Sequence, residues 1–148
     1  GIDIEETKKL VDTYMNSRFN DFETAFAYPG SEESIKEALV NRYPRKSYYL
    51  ASKCAIWSGC KEKEDAEKEL DISLERTGAG YFDFYLLHAL NKDSAKTFEE
   101  WGLWEYFLKK KEEGLIRHLG FSFHDSPEVL DDILSKHPEA EFVQLQIN

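Results

Sequence analysis

Tyr81-Phe82-Asp83-Phe84-Tyr85-Leu86-Leu87-His88, residues 81–88, is an apolar and aromatic run that closes on a histidine. Its residue types favour a β-strand, and the glycines at 78 and 80 separate it from what precedes it. The near-continuous apolar content is that of a strand covered on both faces, as in a parallel sheet flanked by helices. A histidine that ends such a strand needs a polar reason to be there.

Working outward toward the N-terminus, residues 64–76 carry Ala66, Leu70 and Leu74 at spacings of four, a helix that Gly78 stops. Ser47 to Lys53 is an aromatic-rich strand. Gly30-Ser31-Glu32-Glu33 starts an earlier helix with Ile35, Ala38 and Leu39 turned inward, and Pro44 forbids its continuation. Phe19 to Ala25 reads as a short strand. Asp3 with Glu6 is a capping-box pattern, and Leu10, Val11, Tyr14 and Met15 share one face of a helix over about residues 4–17.

Toward the C-terminus, Phe98, Trp101, Trp104, Phe107 and Leu108 line one long helix, with the two tryptophans in the core, ending in Lys109-Lys110-Lys111 and then Gly114. Ile116 to Phe121 is the next strand. Ser126 caps a helix with Pro127 at its first position and Glu128 in its first turn. Phe142 to Ile147 is the last strand.

Helix followed by strand, five times over, predicts a parallel sheet with right-handed crossovers. An open doubly wound sheet normally carries a glycine-rich first turn, and no Gly-x-Gly-x-x-Gly occurs in this chain. A closed (β/α)8 TIM barrel needs eight strands. The chain opens on a helix and closes on a strand, so residues 1–148 are expected to form a single α/β domain. That domain is the central part of such a barrel, about five parallel strands with flanking helices, without the first and last strands.

A net charge of −10 with no basic stripe would repel a phosphate backbone, so nucleic acid is not an expected partner. No apolar run approaches the ~20 residues that span a bilayer, and the N-terminus lacks a signal-peptide pattern, which points to a cytoplasmic protein and no membrane partner. Cys54 and Cys60 match neither a zinc knuckle nor a redox Cys-x-x-Cys spacing and read as free thiols.

Glu23, Tyr28, Lys53 and His88 each fall at or just beyond a strand's C-terminal end, and in a barrel those ends converge on one face. Lys53 closes an apolar strand, where burial disfavours its charge unless a carboxylate is near, and Glu23 is the candidate partner. A lysinium beside the Tyr28 phenol makes it a better proton donor, and His88 can hydrogen-bond a substrate oxygen. None of these side chains delivers hydride, so the arrangement calls for a nicotinamide cofactor. Taken singly, each has a plainer reading: Lys53 as a solvated rim charge, Tyr28 packing a turn before Pro29-Gly30. A metal hydrolase would recruit His88, His124, Glu23 and Asp125, but no His-x-His or His-Glu-x-x-His spacing supports it.

Glu23-Thr24-Ala25-Phe26-Ala27-Tyr28 resembles the Asp-Thr-Ala-x-x-Tyr signature of the aldo/keto reductase family. Ser31-Glu32, Ile35, Ala38-Leu39, Leu50-Ala51-Ser52-Lys53, Asp83 to His88 and Gly114 to Ser122 fit the same family in the same order, over nearly the whole chain. That resemblance implies Tyr28 as proton donor to a small-molecule carbonyl substrate, Lys53 as the ammonium that acidifies it, Glu23 as the carboxylate holding Lys53, and His88 as the group that orients the carbonyl. It also implies NADP or NAD as cofactor, with Ser122 and Gln144 on the nicotinamide carboxamide; their plainer reading is a strand-end hydroxyl and an amide satisfying backbone groups.

Two positions depart from the family pattern. Glu23 stands where it has aspartate, one methylene longer, which can move Lys53 or crowd the site; Phe123, followed by His124, stands where asparagine is usual. The run Phe121-Ser122-Phe123-His124-Asp125 resembles a bacterial branch whose longer members carry a C-terminal ferredoxin-like region. The loops by which the family grips pyrophosphate and adenosine follow strands that are not in this chain. An alternative is therefore a non-catalytic barrel fragment or degenerate paralogue that associates with itself or another chain through open sheet edges. His118 and His137 read as structural or surface residues.

Overall fold

Asp3 starts the first helix, α1 (Ile4–Asn16), by accepting the backbone N–H groups of Glu5 and Glu6 at 3.1 and 3.2 Å. The computed structural model describes residues 2–17 and 20–145. Within them lie five strands: β1 (Asp21–Glu23), β2 (Tyr49–Cys54), β3 (Phe82–Leu90), β4 (Ile116–Phe123) and β5 (Val143–Leu145). Between them lie α2 (Ser31–Ile35), α3 (Lys63–Thr77), α4 (Lys92–Glu100) and α5 (Leu103–Glu112), both between β3 and β4, and α6 (Pro127–Lys136). All four pairings are parallel, in the order β1-β2-β3-β4-β5. Each strand is added on the same side of the one before, as in a barrel wall, whereas a doubly wound sheet reverses its order at a switch point. The sheet curls into a half-barrel flanked by helices, and α1 borders its open trough.

Alternate strand residues face the two sides. Leu50, Ser52 and Cys54 of β2, Tyr85 and Leu87 of β3, and Leu119, Phe121 and Phe123 of β4 are buried, with Leu70, Phe98, Leu103 and Phe107 from the helices in the same core. Asp83 is an acid inside this apolar strand because Arg45 Nη2 and the Leu50 N–H both donate to its Oδ2 at 2.9 Å. The concave side is an open trough of about 790 Å3 lined by Leu10, Tyr14, Phe22, Tyr49, Phe84 and Phe142 among others. Gly120 allows β5 to close on β4, since a Cβ there would overlap the Phe142 carbonyl oxygen.

Several elements differ from expectation. Leu10 and Tyr14 share one face of α1 with Val11, which is buried, but are themselves 62% and 48% exposed because that side of the helix looks onto the open trough. Asp3 caps its helix without a reciprocal bond from Glu6. The helix after Gly30 becomes a π-helical turn at Lys36–Val40, with the Asn41 N–H donating to the Lys36 carbonyl at 2.9 Å. The long helix through Phe98 to Lys111 is two helices, α4 and α5, because Gly102 takes a left-handed φ of 62° that no α-helix propagates. Trp104 is buried as expected and Trp101 partly so. β3 runs two residues past His88. β1 covers three residues of the stretch from Phe19 to Ala25, and Phe19 lies outside the described residues. β5 begins at Val143, and Gln146 and Ile147, assigned to the last strand, also lie outside them.

Candidate active site

The C-terminal ends of β1, β2 and β3 lie side by side, with Glu23 in register with Ala51 and Lys53 with Leu86. The loop after β1 is stitched to β2, the Phe26 N–H donating to the Lys53 carbonyl at 3.2 Å, and it turns back on itself through the Tyr28 N–H and the Ala25 carbonyl at 3.1 Å. Glu32, at the start of α2, anchors that turn from beneath. It is fully buried, accepts the Ser52 hydroxyl at 2.8 Å, and pairs with Arg76 of α3 at 3.2 Å; Arg76 also reaches the Phe26 carbonyl at 3.3 Å.

These restraints bring Glu23, Tyr28, Lys53 and His88 together. Lys53 is 3% exposed and its Nζ donates to Glu23 Oε1 and, at 3.3 Å, to Tyr28 Oη. Because the ammonium occupies an oxygen lone pair, the Tyr28 hydroxyl hydrogen is left to point elsewhere. Tyr28 itself is 40% exposed, open toward the mouth of the half-barrel. The His88 ring stands edge-on to the Tyr28 ring at 5.7 Å between centroids, and its Nδ1 is buried without a hydrogen-bond partner.

Burial, and then the positive charge of Lys53, push the His88 imidazole down to about 4 against the opposing pull of Glu23, so the ring is neutral at pH 7 and one of its nitrogens carries a donor hydrogen. Burial works to raise the Glu23 carboxyl, but the hydrogen bonds from Lys53 and then Gln144 outweigh it and hold Glu23 below its ordinary value. One Glu23 oxygen serves Lys53 and the other accepts Gln144 Nε2 at 2.9 Å.

Ser122 and Gln144 are register partners on β4 and β5, so their side chains leave the sheet on the same face. Ser122 is buried and its Oγ accepts the Ala89 N–H at 2.6 Å, leaving its own hydrogen to donate. Gln144, with Nε2 on Glu23, keeps its carbonyl oxygen as an acceptor. Phe123, the departure after the serine, packs in the core against Phe121, and His124 is exposed.

Sequence reasoning did not single out Trp57, whose 57% exposed ring sits 5.2 Å from that of His88. Its signal is a large aromatic in the loop just beyond Lys53. It also passed over Glu69, buried on α3, which accepts the Ala55 N–H at 2.8 Å and the Cys60 thiol at 2.9 Å and so holds both ends of the loop that carries Trp57. Cys54 and Cys60 are free thiols; burial, and then the bond to Glu69, push Cys60 up to about 12, which removes it as a nucleophile at neutral pH. His118 pairs with Glu141 at 2.6 Å, and His137 stacks on Trp104 at 4.2 Å, away from this cluster. Among the described residues no group of three or more His, Cys, Asp or Glu is placed to hold a metal ion, and no helix is long and apolar enough to cross a membrane.

A curled parallel sheet with chemically armed side chains at its strand ends defines the class as an α/β barrel wall with a strand-end site. The particular family follows from comparison: the aldo/keto reductase family model matches residues 1–148, and the chain belongs to that family. An aldo-keto reductase of Mycolicibacterium smegmatis is 31% identical over 117 residues, which are 78% of this chain and 39% of that protein. The crystal structure of an aldo/keto reductase from Brucella melitensis superposes with a TM-score of 0.76 at 25% identity, covering 98% of this chain and 55% of that one. The Bombyx mori aldo-keto reductase crystallised with NADP shares the fold at a TM-score of 0.72 and 19% identity, covering 100% of this chain and 50% of that one. The chain thus spans about two fifths to about half of the length of these relatives.

Proposed function

We propose that this chain carries the proton-donating half of a nicotinamide-dependent oxidoreductase that reduces a small-molecule carbonyl to an alcohol. The observation that carries the reading is the nearly buried Lys53 ammonium shared between the Glu23 carboxylate and Tyr28 Oη. Tyr28 transfers its hydroxyl proton to the carbonyl oxygen as the carbon is reduced, and the adjacent ammonium stabilises the negative charge left on Oη. Glu23 holds the Lys53 amine in place through its hydrogen bond. His88, neutral at working pH, donates a hydrogen bond to the same carbonyl oxygen and fixes which face of the carbon is presented. Trp57, beside His88, forms an apolar wall for the substrate.

NADPH or NADH, when bound, would supply the hydride, a chemistry none of these side chains possesses. Ser122 and Gln144 fit its carboxamide, because the groups they keep free, one hydroxyl donor and one amide acceptor, complement a carboxamide's oxygen and N–H. The Bombyx mori relative's complex with NADP makes the phosphorylated cofactor the first one to test.

The decisive experiment is Tyr28→Phe in the full-length gene product. Carbonyl reduction is expected to fall by about 10²- to 10⁴-fold while cofactor binding, read by quenching of tryptophan fluorescence, is unchanged. Near-normal turnover would reject Tyr28 as the proton donor.

A second reading is favoured by the exposed trough and by the outer edges of β1 and β5, which pair with no further strand among the described residues: a non-catalytic partial barrel that pairs with another chain along those edges. Sedimentation of the purified chain separates the two, since this reading requires a concentration-dependent assembly and a strict monomer without nicotinamide affinity supports neither.

A further inference from the structure

β3 and β4 run in register from Phe82 opposite Ile116 to Leu87 opposite Phe121, and then the register shifts so that Leu90 faces Phe123. Three steps along β3 are matched by two along β4, and one residue of β3 is extra. That residue is absorbed at Ala89, whose φ of 57° is the only left-handed value at a non-glycine position among the described residues. A side chain there is strained, and such strain persists only where neighbouring groups over-determine the conformation. Two hydroxyls do so: Ser122 Oγ accepts the Ala89 N–H at 2.6 Å, and Ser94 Oγ donates to the Ala89 carbonyl at 3.2 Å. Ser122 is 1% exposed, so its hydroxyl is held in place by packing where it meets the Ala89 N–H.

We propose that Ser122 is a positioning residue for His88: by accepting the Ala89 N–H it holds the left-handed bulge that aims the preceding imidazole into the strand-end cluster. A bulge re-aims side chains and ends regular pairing, and bulges next to active sites commonly serve that purpose. The role rests on the reading of His88 as the group that orients the substrate, and it adds a second task to the serine expected at the cofactor. The groups facing His88 are Lys53 and Glu23 by charge, and the rings of Tyr28 and Trp57 by contact. The imidazole's depressed titration therefore reports whether it still sits among them.

The test is an NMR titration of the histidine ring protons in the purified chain, which has four histidines, with His88 assigned through His88→Gln. In the unaltered chain His88 is expected to titrate at about 4. In Ser122→Ala it is expected to rise by about one unit or more as the ring loses that position. Adding Ala89→Gly, which adopts the left-handed conformation without help, is expected to restore most of the depression. An unmoved titration in Ser122→Ala, or no restoration by Ala89→Gly, overturns the proposal. Should Ser122→Ala fail to fold, Ser122→Cys, with a weaker acceptor, is expected to shift the titration in the same direction by less, and an unmoved value there overturns it equally.

The readout needs no turnover, so its failure leaves Tyr28 as proton donor untouched, and failure of the Tyr28 experiment leaves this one intact. In the full-length enzyme the same pair separates the two tasks of Ser122. Ala89→Gly restores kcat lost through His88, whereas it has no means of restoring a contact to cofactor.

Discussion

Glu23 and Gln144 stand on the two outermost strands of a five-stranded sheet, yet Gln144 Nε2 donates to Glu23 Oε2 at 2.9 Å. Laid flat, five strands would hold those edges about 19 Å apart at roughly 4.8 Å per strand. The bond is therefore a direct measure of curl, and it ties the shape of the sheet to the carboxylate that steadies Lys53.

Removing that carboxylate in Glu23→Ala leaves the nearly buried Lys53 ammonium without its anion. Because Glu23 itself is exposed, the expected cost is about 1–2 kcal/mol, below that of breaking a fully buried pair. Gln144→Ala, which removes a single hydrogen bond at the rim, is expected to cost no more than about 1 kcal/mol. Urea unfolding at pH 7 compares the two, and an equal or inverted ranking would show that Glu23 does not stabilise Lys53.

Stability should fall as the solution is acidified through the range set by His88. The imidazole's folded value near 4 lies below its ordinary 6.5, so between those values the unfolded chain takes up a proton that the native chain refuses. This contribution is fully present above pH 6.5 and lost as pH falls to 4, amounting to at most about 3 kcal/mol. Urea unfolding of His88→Phe, which has nothing to protonate, is expected to show a flatter acid limb; an identical limb counts against a buried neutral imidazole.

Glu69 works in the opposite direction. Burial, opposed by its bonds to Cys60 and Ala55, pushes its carboxyl from 4.5 up to about 7, so the stability it contributes is complete below 4.5 and lost as pH rises through 7. Glu69→Gln keeps an acceptor for the Ala55 N–H and carries no charge. Its stability relative to the parent is expected to improve by about 1–3 kcal/mol between pH 4.5 and pH 8. A constant difference across that range would mean that Glu69 is ionised at an ordinary value.

Gly120→Ala probes the seam between β4 and β5. The added methyl would overlap the Phe142 carbonyl oxygen and meet the Phe142 ring at 2.7 Å, so backbone at the seam would have to shift. A loss of about 2–3 kcal/mol is expected in thermal or urea unfolding. Gly102→Ala, at a left-handed turn with open space around it, is expected to cost only about 1 kcal/mol.

Much of the architecture is legible because it depends on local patterns. The run from Tyr81 to His88 has a strand's residue types and is a strand from Phe82, Gly78 stops the helix before it, and Ser126-Pro127 starts a helix by capping and a fixed φ. The four residues Glu23, Tyr28, Lys53 and His88 stand out because parallel strands run the same way and their ends meet. Local signals misled where one position outweighed a long pattern, as Gly102 did in dividing the helix that the aromatic spacing made continuous.

What the chain alone determined, then, is the order of its elements and the chemistry at their ends, both consequences of short-range periodicity and residue type. Tertiary structure alone decided what needs two distant segments at once. Leu10 and Tyr14 carry the apolar period of a core helix and nevertheless face an open trough, because periodicity names a face without naming what covers it. The Ala89 bulge held by Ser122, 33 residues away, and the Glu23–Gln144 bond, 121 residues apart, exist only once strand register and sheet curl are settled, since both are properties of pairing and not of any one strand.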